Sequence, residues 1–128
     1  MIRKVPWPEV LVVTLVLAIG GGVYAYAHRD ADSLDESKRR GADIVRALAA
    51  YRTDHGTYPQ RLVMLVPAYV AAVQPPTWGI REWRYRTYAP GSVETDDEVY
   101  FQLSVPANES GYPVLYYDFR TGRWVLNN

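Results

Sequence analysis

The sequence predicts an α+β protein: an N-terminal transmembrane helix continuing into, or followed by, a domain helix packed on an antiparallel sheet of three or four strands. Three observations carry that expectation. An uncharged apolar run fills residues 10–27, a helical period of apolar residues extends to about residue 56, and alternating aromatic and β-branched segments occupy the chain beyond Gly79. The 128 residues suit one domain plus a short segment, and about 100 residues outside the apolar run suffice for one modest core.

The apolar run, Val10 to Ala27, is 18 residues without a charge, the lower range for a helix crossing a hydrocarbon core of about 30 Å. Arg3 and Lys4 precede it and Asp30 and Asp32 follow, which places residues 1–9 in the cytoplasm and residues 28–128 outside. Lys38, Arg39 and Arg40 oppose that orientation weakly, because a folded downstream domain translocates largely regardless of such charges. The competing reading is a signal peptide. Ala25-Tyr26-Ala27 forms an A-x-A site after a basic start, and cleavage behind Ala27 would release a secreted domain. The length of the run and the bulk of Tyr24 and Tyr26 favour an uncleaved anchor. Gly20, Gly21 and Gly22 lower helix propensity and allow another membrane helix to approach closely.

Ser33-Leu34-Asp35-Glu36 fits the S-x-x-E capping box, so a helix is expected to start, or restart, near Leu34. Its apolar face is Gly41, Ile44, Val45, Leu48 and Tyr51, leaving Lys38, Arg39, Asp43, Arg46 and Arg52 for solvent. Gly56 terminates it. Pro59 holds Tyr58 extended, Leu62 to Leu65 allows one short helical turn before Pro67, and Gln74-Pro75-Pro76-Thr77 reads as a loop. Trp83 to Tyr88 alternates as a strand, Val99 to Val105 is rich in β-formers, and Val114 to Phe119 pairs naturally with Trp124 to Leu126 through the Arg120-Thr121-Gly122-Arg123 turn.

Composition excludes some chemistry. There are 14 basic and 14 acidic residues, and setting aside Arg3, Lys4 and Glu9 leaves 12 against 13, so no bulk attraction to nucleic acid or anionic lipid follows. The absence of cysteine excludes disulfides, thiolate metal sites and a thiol nucleophile. The two histidines, His28 and His55, belong to no nucleophile elbow or phosphate loop. The acidic run Glu94, Asp96, Asp97 and Glu98 has oxygen ligands suited to calcium but lacks the D-x-[DN]-x-[DN]-G order, and a solvated hairpin loop is the expectation. Arg81, Arg84 and Arg86 interleave with Trp83 and Tyr85, a composition able to meet phosphates and bases, but strand alternation already explains them as a solvent face.

The run Ala47-Leu48-Ala49-Ala50-Tyr51-Arg52-Thr53-Asp54-His55-Gly56-Thr57-Tyr58-Pro59, continued by Leu62, Leu65, Val66, Pro67, Tyr69 and Val70, resembles the helix-to-loop signature of the type IV pilin and type II secretion pseudopilin superfamily. Glu9-Val10-Leu11-Val12-Val13 looks like the start of a prepilin helix, with Lys4 where the family's peptidase expects glycine and with Pro6 and Pro8 in place of its usual residues. The resemblance implies a single-pass protein of a bacterial inner membrane with a periplasmic or extracellular domain. It implies a structural or accessory role in a secretion or pilus-type assembly, acting by association with other pilin-like subunits or the machinery. It also implies an assembly role for Glu9, which otherwise reads as an acidic residue in a first helical turn beside the interface anchor Trp7. No enzymatic activity, cofactor, small-molecule substrate or nucleic acid is expected. The alternative is a standalone anchored or secreted binding domain that does not polymerise.

Overall fold

One helix, α1 (Trp7–His55), spans the region of the predicted anchor and the predicted domain helix, so of the two expected arrangements the chain takes the continuous one. The computed structural model describes residues 7–88 and 100–128, without the side chains of residues 7–11 and 13. It contains two compact units, Met1–Asp32 and Ser33–Asn128. The capping box at Ser33 is not used as one. No proline or glycine falls between Val23 and Arg40, and Glu36 turns to the next helical turn, where Arg39 at 2.6 Å and Arg40 at 2.8 Å hold it. Their hydrogen bonds, that of Arg39 foremost, lower the Glu36 carboxyl to about 2. Lys38 pairs with Asp35 at 3.2 Å. These i,i+3 and i,i+4 contacts support the helix beyond Ser33. Gly56, at φ 77°, ends it by donating its N–H to the Arg52 carbonyl at 2.7 Å, since only glycine adopts that conformation without steric cost.

In the first unit, Val12, Leu15, Val16, Leu17, Ile19 and Val23 are between 59 and 70 % exposed. Among the described residues, no helix is long and apolar enough to cross a membrane. The predicted span 10–27 includes Val10, Leu11 and Val13, whose side chains lie outside the description. The uninterrupted described stretch, from Thr14 to Ala27, is shorter than a spanning helix requires before His28, Arg29 and Asp30 close it.

In the second unit, α1 lies on a four-stranded sheet of β1 (Arg84–Tyr88), β2 (Tyr100–Pro106), β3 (Val114–Asp118) and β4 (Arg123–Asn127), antiparallel in the order β1-β2-β3-β4. The expected α+β class holds, with four strands. The helix buries Ser37, Gly41, Ile44, Ala47 and Leu48, with Val45 and Tyr51 half-buried beside them. Ser37 and Ala47 therefore join the predicted apolar face. Ile44 and Leu48 meet Phe101 and Leu103 of β2 in one cluster with Tyr58 and Leu65. Each fully buried large side chain there contributes about 1.5–3 kcal/mol. Leu65 comes from the short 3-10 helix Leu62–Leu65, as the sequence predicts.

Two details fix how closely helix and sheet approach. At Gly41 an added Cβ would overlap the Trp124 ring and come within 3.1 Å of Trp83, so only glycine allows these indoles to lie on the backbone of α1. At Ser37, fully buried, the hydroxyl donates to the Ser33 carbonyl at 2.8 Å and accepts the N–H groups of Thr77 and Trp78 at 3.0 and 2.9 Å. Thr77 returns its own hydroxyl to the Ser33 carbonyl at 2.7 Å, and Arg40 donates to the Pro75 carbonyl at 2.8 Å. Residues 74–80 are thus strapped to α1. The other end of the strap meets the sheet where Ile80 donates to the Pro106 carbonyl at 3.0 Å and Gly79, at φ 69°, leaves no room for a Cβ against that carbonyl.

These contacts predict that Gly41→Ala destabilises the domain by about 1–3 kcal/mol through overpacking, whereas Gly21→Ala, with nothing within 4 Å of its added Cβ, is neutral or stabilising by up to about 1 kcal/mol through helix propensity. Ser37→Ala, which strands two backbone donors, costs about 2–3 kcal/mol. Urea unfolding of the three variants checks this; equal stability of Gly41→Ala and Gly21→Ala would remove the close-approach argument.

Candidate functional site

The sequence singles out four groups, of which the structure describes two, the arginines near β1 and the turn at the end of α1. Glu9 falls within α1, with its side chain outside the described residues. The acidic residues Glu94, Asp96, Asp97 and Glu98 also lie outside the described residues. Among the described residues, no group of three or more histidine, aspartate or glutamate side chains could hold a metal ion. Arg81 sits in the turn before β1 with φ 58°, an uncommon conformation for a non-glycine residue. Arg84 and Arg86 both lie on β1 and are exposed.

The helix-end turn that carries the family-like signature forms a local aromatic cluster. His55 stacks on Tyr51 with ring centroids 4.0 Å apart, and Tyr51 meets Tyr69 edge-on at 5.4 Å. The Tyr69 hydroxyl donates to Asp54 at 2.7 Å and lies 3.4 Å from His55 Nδ1, while that nitrogen is 3.0 Å from the Tyr51 carbonyl. The bond to Asp54, together with burial and the carboxylate's charge, raises the Tyr69 hydroxyl to about 12. A tyrosine held protonated in this way acts as a clamp, tying the segment after the 3-10 helix to the end of α1. Tyr58 makes a second tie on the buried side, where Arg52 donates to its hydroxyl at 3.3 Å and lies over its ring at 5.2 Å. Tyr85 closes the turn from the sheet by donating to the Pro59 carbonyl at 2.7 Å, and burial pushes its hydroxyl further up than that of Tyr69. Beside the clamp, Asp43, Arg46, Ala47, Ala50, Tyr69 and Val70 line a shallow groove of about 260 Å³.

The outer sheet face was only half legible. Register places Arg84 opposite Ser104, Ser104 opposite Tyr116, and Tyr116 opposite Val125, while Arg86 stands opposite Gln102. Tyr88 and Tyr100 stack at 4.8 Å in the next row, and the Tyr88 hydroxyl donates to Gln102 at 3.0 Å. Arg123, opposite Asp118 at the start of β4, joins Arg84 and Arg86 on this face. It escaped the sequence reading because its place depends on β3–β4 register; the turn residues Arg120 to Arg123 were the available signal.

Tyr69 predicts a pH signature. Its raised hydroxyl gives stability that is fully present below pH 10 and is lost as pH rises through about 12. Asp54→Ala is expected to return the Tyr69 titration toward 10, followed by the ring carbon resonance of Tyr69; an unchanged midpoint would show that Asp54 does not hold it.

No family model matches the chain, and neither a curated protein nor a solved structure matches it.

Proposed function

We propose that this chain is a pilin-like, membrane-associated component of a secretion or pilus-type assembly, acting by protein–protein association rather than catalysis. The observation that carries the reading is the first half of α1. From Val12 to Tyr26 it exposes large apolar side chains, with Tyr24 and Tyr26 at 68 and 73 %. Isolated exposed apolar residues are ordinary, but so continuous a set marks a lipid or protein contact.

Helical spacing adds a second property. Val12, Leu15, Val16, Ile19 and Val23 share one side of the helix, and Thr14, Ala18, Gly21 and Ala25 share another. The first side suits lipid chains. The second suits close packing against another helix, where small residues let backbones approach. The signature from Ala47 to Pro59 and the α+β domain agree with the family resemblance. Glu9 is the proposed register residue. Lys4, Pro6 and Pro8 favour the second reading, a standalone anchored binding domain that does not polymerise.

Cell fractionation with intact-mass and N-terminal analysis tests the proposal. The expected result is recovery in the membrane fraction, resistant to alkaline extraction, and transfer to the soluble fraction when Val16 and Leu17 are both changed to Asp. A soluble chain beginning at His28 would sink the anchor and the role of Glu9 together.

A further inference from the structure

Of the 11 basic residues in residues 33–128, five lie on α1 and three on the outer face of the sheet, and the two groups differ. On α1 each has a partner: Lys38 holds Asp35, Arg39 and Arg40 hold Glu36, Arg46 holds Asp43, and Arg52 meets Tyr58. On the outer sheet face, Arg84, Arg86 and Arg123 are exposed, and among the described residues none has a hydrogen-bond or ion-pair partner. The one carboxylate in their rows, Asp118, is committed to its own turn. It accepts the Thr121 hydroxyl at 2.8 Å and the Arg120 N–H at 2.9 Å, bonds that hold its carboxyl below the usual range.

We infer that the outer face of the sheet, with Arg84, Arg86 and Arg123 framing Tyr116 and the Tyr88–Tyr100 stack, is a docking surface for an acidic polypeptide segment of a partner protein. The inference rests on the reading of this chain as an assembly component and names the chemistry of its partner. Arg84 and Arg86 project from the same side of β1 about 7 Å apart, and Arg123 stands three strand spacings away, about 14 Å. An extended segment with carboxylates on alternate residues matches the first spacing, and one crossing the strands reaches the third guanidinium. Arginine and tyrosine are the residues that concentrate binding energy at protein interfaces, through planar bidentate bonds to carboxylates and rigid amphipathic rings. Charge complementarity selects an acidic partner. It selects a polypeptide over nucleic acid because residues 33–128 hold 11 basic and 11 acidic residues, without the broad positive field that draws a polyanion to a surface.

The test uses the full chain in neutral detergent with a fluorescein-labelled 16-residue poly-glutamate peptide, followed by anisotropy at low salt. Saturable binding is expected, weakened at least tenfold in the Arg84→Ala/Arg86→Ala/Arg123→Ala variant and unchanged in Arg39→Ala/Arg46→Ala. The charge-reversed variant with Glu at the same three positions is expected to bind a 16-residue poly-lysine peptide instead. Absence of poly-glutamate binding, equal binding by the triple variant, equal loss in the helix variant, or binding of a 16-nucleotide oligo-dT at least as tight would each overturn the inference. These outcomes are read in solution, so they stand apart from failure of the membrane anchor, which fractionation reads.

Discussion

The approach of α1 to the sheet at Gly41 is the constraint on which the rest of the domain depends. With hydrogen in place of a side chain, the Trp124 ring lies on the helix backbone, and Trp83 packs against Trp124 at 5.9 Å between centroids. The helix is therefore close enough at this end for a serine hydroxyl, one turn earlier, to reach the backbone of residues 77 and 78. A larger residue at 41 would lift the helix and with it the strap. Ile44 and Leu48, one and two turns later, fill the wider space above Phe101 and Leu103. The buried stripe thus grows from small to large along the helix, as interdigitated packing at near-crystalline density requires.

The strap solves a backbone problem as well. Residues 74–80 contain two adjacent prolines, Pro75 and Pro76, which lack N–H donors, and the N–H groups of Thr77 and Trp78 that follow are received by one buried hydroxyl. Ser37 uses its full hydroxyl capacity there, one donor and two acceptor positions. The crossover from helix to sheet consequently has few alternative paths, and the start of β1 is fixed before its ladder with β2 begins. Trp83 reinforces this by donating its indole N–H to the Gln74 carbonyl at 2.8 Å.

Local signals in the sequence were reliable where the physics was local. The period of Ile44, Leu48 and Tyr51 located the domain half of the helix, Gly56 ended it, and alternation placed the strands to within a few residues. Signals that depend on distant partners were not. Ser33 and Glu36 spell a capping box, yet Glu36 has two arginines within one turn and needs no cap, so the helix runs on. Ser37 lies outside the predicted apolar face, and its burial depends on Thr77 and Trp78, which reach it from about forty positions away. Ser104 blurs the alternation of β2 because it is buried on the outer face, between Arg84 and Tyr116 in register. The sheet arginines follow the same logic: two were visible on one strand, and the third required the register of β4.

The same helix carries two apolar stretches, one packed on the sheet and one exposed, and the proposed function rests on this contrast. Beyond Ser33 the apolar residues are confined to one stripe and satisfied by the sheet, while the opposite side is laced with ion pairs that keep its charges neutralised in place. Among the described residues before Asp32, Val12, Leu15, Val16, Leu17, Ile19 and Val23 are exposed. A helix designed only to support the domain would gain nothing from that exposed half, because helical stability in water comes from burying an amphipathic face. Such a surface fits the proposed association with an apolar phase or another helix. On the domain side the inner face of the sheet is committed to α1, and among the described residues the outer face is where arginines stand without ion-pair partners beside half-buried aromatic rings.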